Sequence, residues 1–208
     1  MDKKKKVLVF GAHPDDYEIG MGGTINKLVN AGHEVKLVLV TIPNKNKKLR
    51  LNEAQKAADI LGADFLFLDI NPDHIQLSRD LIAIFDKLID DFSPDEIYTH
   101  WIHDSHQDHK VISNCLVSST RKNTCSLIMY TQTIPGGITP HSFNDQVFVD
   151  ISDQIDTKLD SILAHKSQII KHGLEWVDGV KGRAKLHGYQ IKSDYAETFQ
   201  VVKHIRNF

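Results

Sequence analysis

The sequence predicts an α/β fold, in which a doubly wound, mostly parallel, Rossmann-like sheet carries helices on both faces. Short apolar runs rich in β-branched residues alternate along the chain with segments of helical periodicity. Glycine or proline ends many of these segments, and the alternation favours right-handed crossovers between parallel strands. Because no repeat, low-complexity tract or linker divides the 208 residues, we expect a single domain spanning residues 1–208.

The first half of the chain contains two predicted strand–helix units. Both strands are apolar without alternation, as expected for strands buried on both faces of a parallel sheet. A glycine follows each helical pattern, which is a common signal for a helix C-terminus. In order, the elements are a strand at 7–10, a helix at 24–29, a strand at 35–42 and a helix at 52–61.

The second half continues the alternation and ends less regularly. Its elements are a strand at 65–68, a helix at 81–89, a strand at 97–99, a helix at 109–118, strands at 127–131 and 147–149, and one long amphipathic helix over 150–171. Roughly the last thirty residues show no comparable pattern, so we expect irregular structure there.

Composition and charge exclude several classes of protein. A 41% hydrophobic and 25% charged composition is typical of a globular chain, and the net charge of −2 gives no reason to expect a nucleic-acid partner. Neither an export signal nor an apolar stretch of membrane-spanning length is present, so we expect a cytoplasmic protein without a membrane partner. Cys115 and Cys125 match no metal motif, and we expect buried or incidental thiols.

A first cluster of candidate functional residues follows the strand at 7–10. His13, Asp15 and Asp16 occupy four consecutive positions with Pro14. Adjacent carboxylates repel each other when both are ionised, and a divalent cation would remove that cost. Neighbouring side chains point apart in an extended turn, so we expect one aspartate to bind a metal and the other to act as a base on water.

A second cluster follows the strand at 97–99 and contains Asp104, His106, Asp108 and His109. In open α/β sheets, ligands bind beyond the carboxyl ends of the strands, where these two loops are expected to meet. Neutral imidazole and carboxylate suit Zn²⁺, although two histidines and one carboxylate can also hold Fe²⁺. Three protein ligands leave a position open for water, whose pKa zinc lowers to about 7. The two loops therefore predict a catalytic metal site.

Most of the remaining histidines are expected to be ordinary surface or hydrogen-bonded groups, while His100, His103 and His165 stay open. The run Gly20-Met21-Gly22-Gly23 lacks the spacing of a phosphate-binding or dinucleotide-binding loop, and we expect it to let a helix pack close to the first loop. The histidines expected to have no role in the site are His33, His74, His141, His172, His187 and His204.

Together the two loops resemble those of the LmbE/PIG-L family of zinc-dependent N-acetylglucosamine deacetylases, which includes bacillithiol- and mycothiol-pathway enzymes. Ala-His-Pro-Asp-Asp at 12–16 resembles the first family motif, and Asp-x-His-x-Asp-His at 104–109 the second. Segments around residues 50–54, 149–152, 165–168 and 195–199 also resemble the family, so the similarity covers nearly the whole chain. It implies an LmbE-like fold.

The resemblance implies a role for each residue of the two motifs. Asp15 would be the general base, and His106 the imidazolium that stabilises the oxyanion or protonates the leaving amine. Asp108 would orient His106 and keep it charged. The implied reaction is metal-assisted hydrolysis of the acetamide of an N-acetylglucosamine-type sugar, which releases acetate and a free amine. The implied metal ligands are His13, Asp16 and His109.

Substrate binding, partners and two alternatives complete the expectations. Arg50 would contact a hydroxyl or phosphate of a small amino-sugar substrate, and Asp104 would lie near it. Trp101 could stack on the sugar face or pack in the core. Relatives imply a homo-oligomer. A non-catalytic metal- or sugar-binding module is one alternative, and the same hydrolysis of a surface-polysaccharide sugar intermediate is another.

Overall fold

The computed structural model describes residues 3–43, 45–132 and 135–206. Its strands are β1 (Lys6–Gly11), β2 (Glu34–Leu39), β3 (Asp64–Phe67), β4 (Glu96–His100), β5 (Ser126–Tyr130), β6 (Val147–Asp150) and β7 (Ala196–Lys203). Its helices are α1 (Asp16–Asn30), α2 (Lys47–Leu61), α3 (Arg79–Phe92), α4 (Gln107–Ser119), α5 (Ile155–Leu163), α6 (Lys166–His172) and α7 (Glu175–Ile191). Short 3₁₀ turns lie at Pro72–His74, Thr120–Lys122 and Ser152–Gln154.

The strands form one sheet with the order β3-β2-β1-β4-β5-β7-β6. β1 to β5 run parallel, whereas β7 is antiparallel to both β5 and β6. The predicted doubly wound, mostly parallel sheet is therefore confirmed. The chain builds outward from β1 toward β2 on one side and resumes with β4 on the other, so β1 and β4 flank a topological switch point.

Alternate residues of β1 pack against different helices on the two faces of the sheet. Leu8 and Phe10 belong to a core cluster that contains Phe85 of α3. Val7 and Val9 belong to another that contains residues of α1 and α2. These four side chains are fully buried, which explains why residues 7–10 form a continuous apolar run.

Helix α1 begins much earlier than the sequence predicts. It starts at Asp16, contains the glycine run and is kinked at Met21, whose φ and ψ are −152° and 24°. A Cβ on Gly20 would lie 2.2 Å from the Tyr130 ring, and one on Gly23 would lie 2.8 Å from Ile151. These glycines allow close packing against β5 and the chain before α5. Packing thus overrides their low intrinsic helix propensity.

The C-terminal third also differs from the predictions. The single helix expected over 150–171 is wrong, because α5 and α6 are separate helices with His165 between them. The His165 side chain turns inward to Glu18, which it contacts at 3.0 Å. The expected irregular end is also wrong, since most of it is α7 and β7. Among the described residues, no helix has the length and apolar character needed to cross a membrane.

Candidate active site

The loops after β1 and β4 meet at the carboxyl edge of the sheet, as the sequence predicts. Asp16 lies between the two histidines expected to share a metal with it. Its Oδ1 is 3.4 Å from His109 Nε2, and its Oδ2 is 3.7 Å from His13 Nδ1. Parallel pairing of β1 with β4 brings these residues together although they are distant in sequence.

The backbone of the first loop separates the two aspartates. Asp15 adopts φ 92° in the left-handed region and precedes the first residue of α1. Asp16 then folds back, and its Oδ2 accepts the His13 backbone N–H at 2.7 Å. A left-handed non-glycine residue costs about 1 kcal/mol, and such strain often occurs at functional sites. One aspartate therefore joins the histidines while the other lines a cavity.

In each of the two expected histidine ligands, the ring nitrogen that faces away from Asp16 contacts the carboxylate of another aspartate. Asp108 Oδ2 is 3.0 Å from His13 Nε2, and Asp104 Oδ1 is 3.2 Å from His109 Nδ1. Metal-binding histidines usually donate their other ring N–H to such a carboxylate. The nitrogens left for a metal are His13 Nδ1 and His109 Nε2, which are the two atoms that face Asp16.

The structure differs from the expectations for Asp104 and Asp108. Asp104 was expected near the substrate, but its buried carboxylate contacts His109 and accepts the His106 backbone N–H at 2.8 Å. Asp108 was expected to orient His106 through its carboxylate. Instead its backbone N–H donates to His106 Nδ1 at 3.2 Å, because the His106 ring caps the start of α4. The Asp108 carboxylate is thereby left facing His13.

This cap also changes the expected protonation of His106. A ring nitrogen that accepts a hydrogen bond carries no proton, so this contact favours a neutral His106 ring with its proton on Nε2. Partial burial, followed by the charges of His13 and His109, lowers the pKa of His106. The geometry favours a neutral His106 ring, and the imidazolium that the family resemblance implies stays a prediction.

His100, the last residue of β4, is a member of the cluster that the sequence left open. Its fully buried Nε2 accepts the Ala12 backbone N–H at 2.9 Å and lies 3.3 Å from Asp16 Oδ2. Its ring stacks on that of His109, with 3.9 Å between the centroids. Burial, followed by the charge of His109, lowers the pKa of His100 to about 4. Its position at a strand end beside the second loop was the available sequence signal.

The donor set fits a divalent metal. Two overlapping groups have donor atoms within 4.8 Å of one another: His13, His106 and His109, and Asp16, His100 and His109. Both ring nitrogens of His109 are buried without a well-formed hydrogen bond in the described part of the chain. Burial alone would lower the pKa of His109, but the Asp16 and Asp104 carboxylates raise this pKa to about 10. The carboxylates of the cluster therefore stabilise a positive charge. Imidazole and carboxylate groups are also the donors that zinc and ferrous iron bind.

A cavity of about 320 Å³ lies over this cluster, and Asp15 lines it. Burial is the main cause that raises the pKa of Asp15 to about 7, opposed by His165 and Arg50. Arg50 Nη2 lies 3.5 Å from Asp15 Oδ2 and donates to the Pro14 carbonyl at 3.2 Å. Arg50 therefore borders the cavity beside Asp15, and its expected contact with a substrate hydroxyl or phosphate stays a prediction.

Trp101 lies outside this cavity. It is 5% exposed and packs edge-on against the rings of Phe143 and His103 at 5.7 and 5.4 Å. It lines a separate cavity of about 130 Å³ together with Asp104. Of the two possibilities for Trp101, the structure shows packing.

The far wall of the main cavity comes from residues that sequence reasoning missed. Lys171 and His172 lie at the end of α6, and Gln168 and Trp176 also line the cavity. His172 was expected to be an unrelated surface group; it is exposed, but it borders the cavity. Because the sequence predicts one continuous helix over 150–171, it does not predict that α6 lines the cavity. The family-like segment at 165–168 was the signal that could have located it.

Fold and site together define an α/β protein with a candidate metal centre and a cavity at the switch point of its sheet. The family model for PIG-L, described as GlcNAc-PI de-N-acetylase, matches residues 8–119. The uncharacterized deacetylase YaiS of Escherichia coli (strain K12) is 31% identical over 185 residues, which cover 80% of this chain and 93% of that protein.

Two further proteins are similar over almost the whole chain. The diacetylchitobiose deacetylase of Thermococcus kodakarensis is 27% identical over 95% of this chain and 83% of its own length. The structure of N,N'-diacetylchitobiose deacetylase from Pyrococcus horikoshii has a TM-score of 0.83 and 25% identity, and the match covers 96% of this chain and 84% of that one. The chain belongs to the PIG-L family.

Proposed function

We propose that this chain hydrolyses the acetamide of an N-acetylglucosamine-type amino sugar with the help of a divalent metal ion, releasing acetate and a free amine. The observation that carries the proposal is Asp15. It is a cavity-lining carboxyl with a pKa near 7 beside a cluster of metal donors. The deacetylase relatives support the same reaction.

We assign the metal to His13, Asp16 and His109, with zinc as the expected ion and ferrous iron as the alternative. The assignment is supported by the two free ring nitrogens that face Asp16 and by the carboxylate on the other nitrogen of each ring. When bound there, the ion would polarise the acetyl carbonyl and lower the pKa of water.

Asp15 is assigned as the general base. It takes a proton from the attacking water and later returns that proton to the nitrogen of the leaving amine, so that it ends the cycle ionised. A base is most effective when its pKa lies near the working pH. A protein that only binds a metal or a sugar has no need of a carboxyl whose pKa lies near the working pH. This feature of Asp15 favours an enzyme over a binding module.

His106 is assigned as the donor to the oxyanion of the tetrahedral intermediate. Because Nδ1 accepts the Asp108 N–H, the proton on Nε2 is available for a ligand in the cavity that His106 lines. A preorganised neutral donor stabilises a developing negative charge without requiring an imidazolium. This role replaces the charged one that the family resemblance implied.

Acetate release tests the proposed reaction. The zinc-loaded protein is incubated with N-acetylglucosamine, diacetylchitobiose, N-acetylglucosamine phosphates and a peptide acetylated on lysine. We expect acetate from one or more of the sugars, little from the peptide, and loss of activity after chelation with recovery on adding zinc. No acetate from any sugar, with zinc bound stoichiometrically, would contradict the proposal.

A further inference from the structure

The chain after β5 brings a third strand end to the edge of the sheet where the metal cluster lies. β5 pairs in parallel with β4 and places Tyr130 opposite His100, so Thr131 and Gln132 leave the sheet beside the second loop. Ligands of open α/β sheets bind at the carboxyl ends of such strands. The proposed chemistry uses residues that follow β1 and β4 and assigns no role to those that follow β5.

Two hydrogen bonds from distant parts of the chain anchor this segment. The Tyr130 hydroxyl donates to the Phe10 carbonyl at 2.7 Å, and both of these residues are fully buried. Arg183 of α7 donates to the Thr131 carbonyl at 2.9 Å. Gln132 therefore extends from a stretch of backbone that the sheet and α7 both hold in place.

Gln132 lies where three cavities meet. It lines the main cavity of about 320 Å³ together with the metal cluster. It also lines the cavity of about 130 Å³ beside Trp101 and a further cavity of about 270 Å³ beside Phe143. No other described residue lines all three. A ligand that extends from the metal cluster into either side cavity therefore passes the Gln132 side chain.

The amide of Gln132 offers a hydrogen-bond donor without a partner. Its Nε2 is buried, and no acceptor among the described residues contacts it. Buried polar groups are normally hydrogen-bonded, because an unpaired one costs free energy that a ligand would recover. Gln168 also lines the main cavity, but its amide nitrogen already contacts the Ser167 hydroxyl at 3.4 Å. The unused amide donor of the cavity is therefore that of Gln132.

We propose that Gln132 is a substrate-binding residue whose Nε2 donates to one hydroxyl oxygen of the sugar while the acetamide lies at the metal cluster. A hydroxyl fits because it accepts the amide N–H and can itself donate to neighbouring oxygens, and Ser105, Thr131 and Thr139 line the adjacent cavity of about 130 Å³. A site that pairs a buried group with a substrate hydroxyl discriminates against analogues that lack the hydroxyl. The inference rests on the proposed function for the identity of the ligand, but binding alone can test it.

Binding is measured by calorimetry with the zinc-loaded Asp15→Asn protein, which is expected to hold sugars without turning them over. The ligands are N-acetylglucosamine and its 1-deoxy, 3-deoxy, 4-deoxy and 6-deoxy derivatives. Gln132→Met in the same background keeps the length of the side chain and removes its N–H groups. We expect this variant to bind N-acetylglucosamine about five- to tenfold more weakly, and one deoxy sugar to lose a similar factor in the parent protein.

Combining the two changes identifies the contact. The deoxy sugar that lacks the bound hydroxyl should bind Gln132→Met and the parent equally well, whereas the other sugars should keep the full loss. Gln55→Met, at an exposed position of α2 outside the three cavities, is the control and should bind every sugar as the parent does. Losses that multiply for every deoxy sugar would overturn the proposal, because a general disturbance of the site gives that pattern. So would parent-like affinity in Gln132→Met, or no measurable binding of any sugar.

The two proposals fail in distinguishable ways. If the wild-type protein releases acetate and Gln132→Met does so with unchanged KM and kcat, deacetylation stands and the role of Gln132 is wrong. If the wild-type protein releases none, while one deoxy sugar shows the coupled loss with Gln132→Met, the role of Gln132 stands and deacetylation is wrong.

Discussion

Asp104 and Asp108 each hold the imidazole ring of one proposed metal ligand. Their carboxylates contact His109 Nδ1 and His13 Nε2 and leave the opposite nitrogens directed at Asp16. A carboxylate of this kind fixes the tautomer and the orientation of the ring, and its loss typically lowers metal affinity 10- to 100-fold. The pair thus determines how well the site is preformed.

Replacing Asp104 should weaken metal binding without removing a ligand. We expect Asp104→Asn to lower zinc affinity roughly 10- to 100-fold, because the amide orients His109 less strongly. A competition titration against a chelating dye measures this change. Asp73→Asn, an exposed position remote from the cluster, is the control. Unchanged zinc affinity in Asp104→Asn would exclude this role.

The motif residues could be predicted because they are local in sequence, whereas their partners could not. His13, Asp16 and His109 come together as expected, since each follows a strand that ends at the same edge. The Asp108 contact with His13 depends on His106 capping α4, which fixes directions that spacing alone does not. His100 was left open because a buried strand histidine shows its role only when its neighbours are known.

The burial of the two cysteines leads to a prediction about thiol reactivity. Both are free and buried, and burial raises the pKa of the Cys115 thiol to about 11. A raised thiol pKa lowers the thiolate fraction at any pH below it, so native Cys115 should be alkylated by iodoacetamide at pH 8 at less than about 1% of the unfolded rate. Mass spectrometry follows the labelling, with the protein in denaturant as control. Rapid native labelling would show that the site opens readily.

At the scale of elements, the kink in α1 is stabilised by a buried ion pair. Lys158 Nζ donates to the carbonyls of Glu18 and Ile19 at 2.9 and 2.7 Å and to Glu197 at 2.6 Å. The Glu197 carboxylate in turn accepts the backbone N–H groups of residues 23 and 24. The pair therefore satisfies backbone groups that the break in the helix leaves without helical partners.

Removing Lys158 should be far more costly than removing a surface lysine. We expect Lys158→Met to lower the free energy of unfolding by about 3–5 kcal/mol, because Glu197 is left buried and unpaired. Lys185→Met breaks an exposed pair with Asp194 and should cost about 1 kcal/mol or less. Denaturation in urea compares the two variants. Similar small losses would mean that the buried pair contributes little net stability.

Element boundaries could be predicted where the local sequence determines them. The predictions failed where contacts between residues distant in sequence determine the boundary. The strands of the parallel sheet are close to their predicted positions, because buried apolar runs have few alternatives. The break between α5 and α6 depends on His165 reaching Glu18 across the fold. Helix α7 contains several glycines, and at Gly188 the chain passes within 2.6 Å of a hypothetical Cβ. Local propensity contains no information about either contact.

At the scale of the molecule, the proposed metal ligands join two halves of the sheet across its switch point. The loop after β1 and the beginning of α4 are separated by most of the first half of the chain. The alternation of strands and helices was enough to predict that both loops lie at one edge. The wall built by α6 and α7 was not predictable, because it depends on how the C-terminal helices return over that edge.

A ligand that bridges these loops should stabilise the entire fold. Zinc at 100 times its dissociation constant adds about 2.7 kcal/mol to the unfolding free energy. We therefore expect the Tm of the wild-type protein to rise by roughly 5–10 °C on adding zinc. His109→Ala removes a proposed ligand and should abolish this rise and lower zinc content. Thermal unfolding with and without zinc is the measurement, and an equal rise in both proteins would rule out His109 as a ligand.

The Asp15→Asn variant is the sharpest test of metal-assisted deacetylation with Asp15 as the base, because it separates metal binding from catalysis at one residue. Zinc content by atomic absorption and acetate release are measured on the same preparation of wild type and variant. We expect Asp15→Asn to bind zinc as wild type does and to lose activity about 10²-fold or more, since an amide cannot accept the proton of water. Near-normal acetate release from a zinc-replete variant would contradict the role of Asp15 as the base.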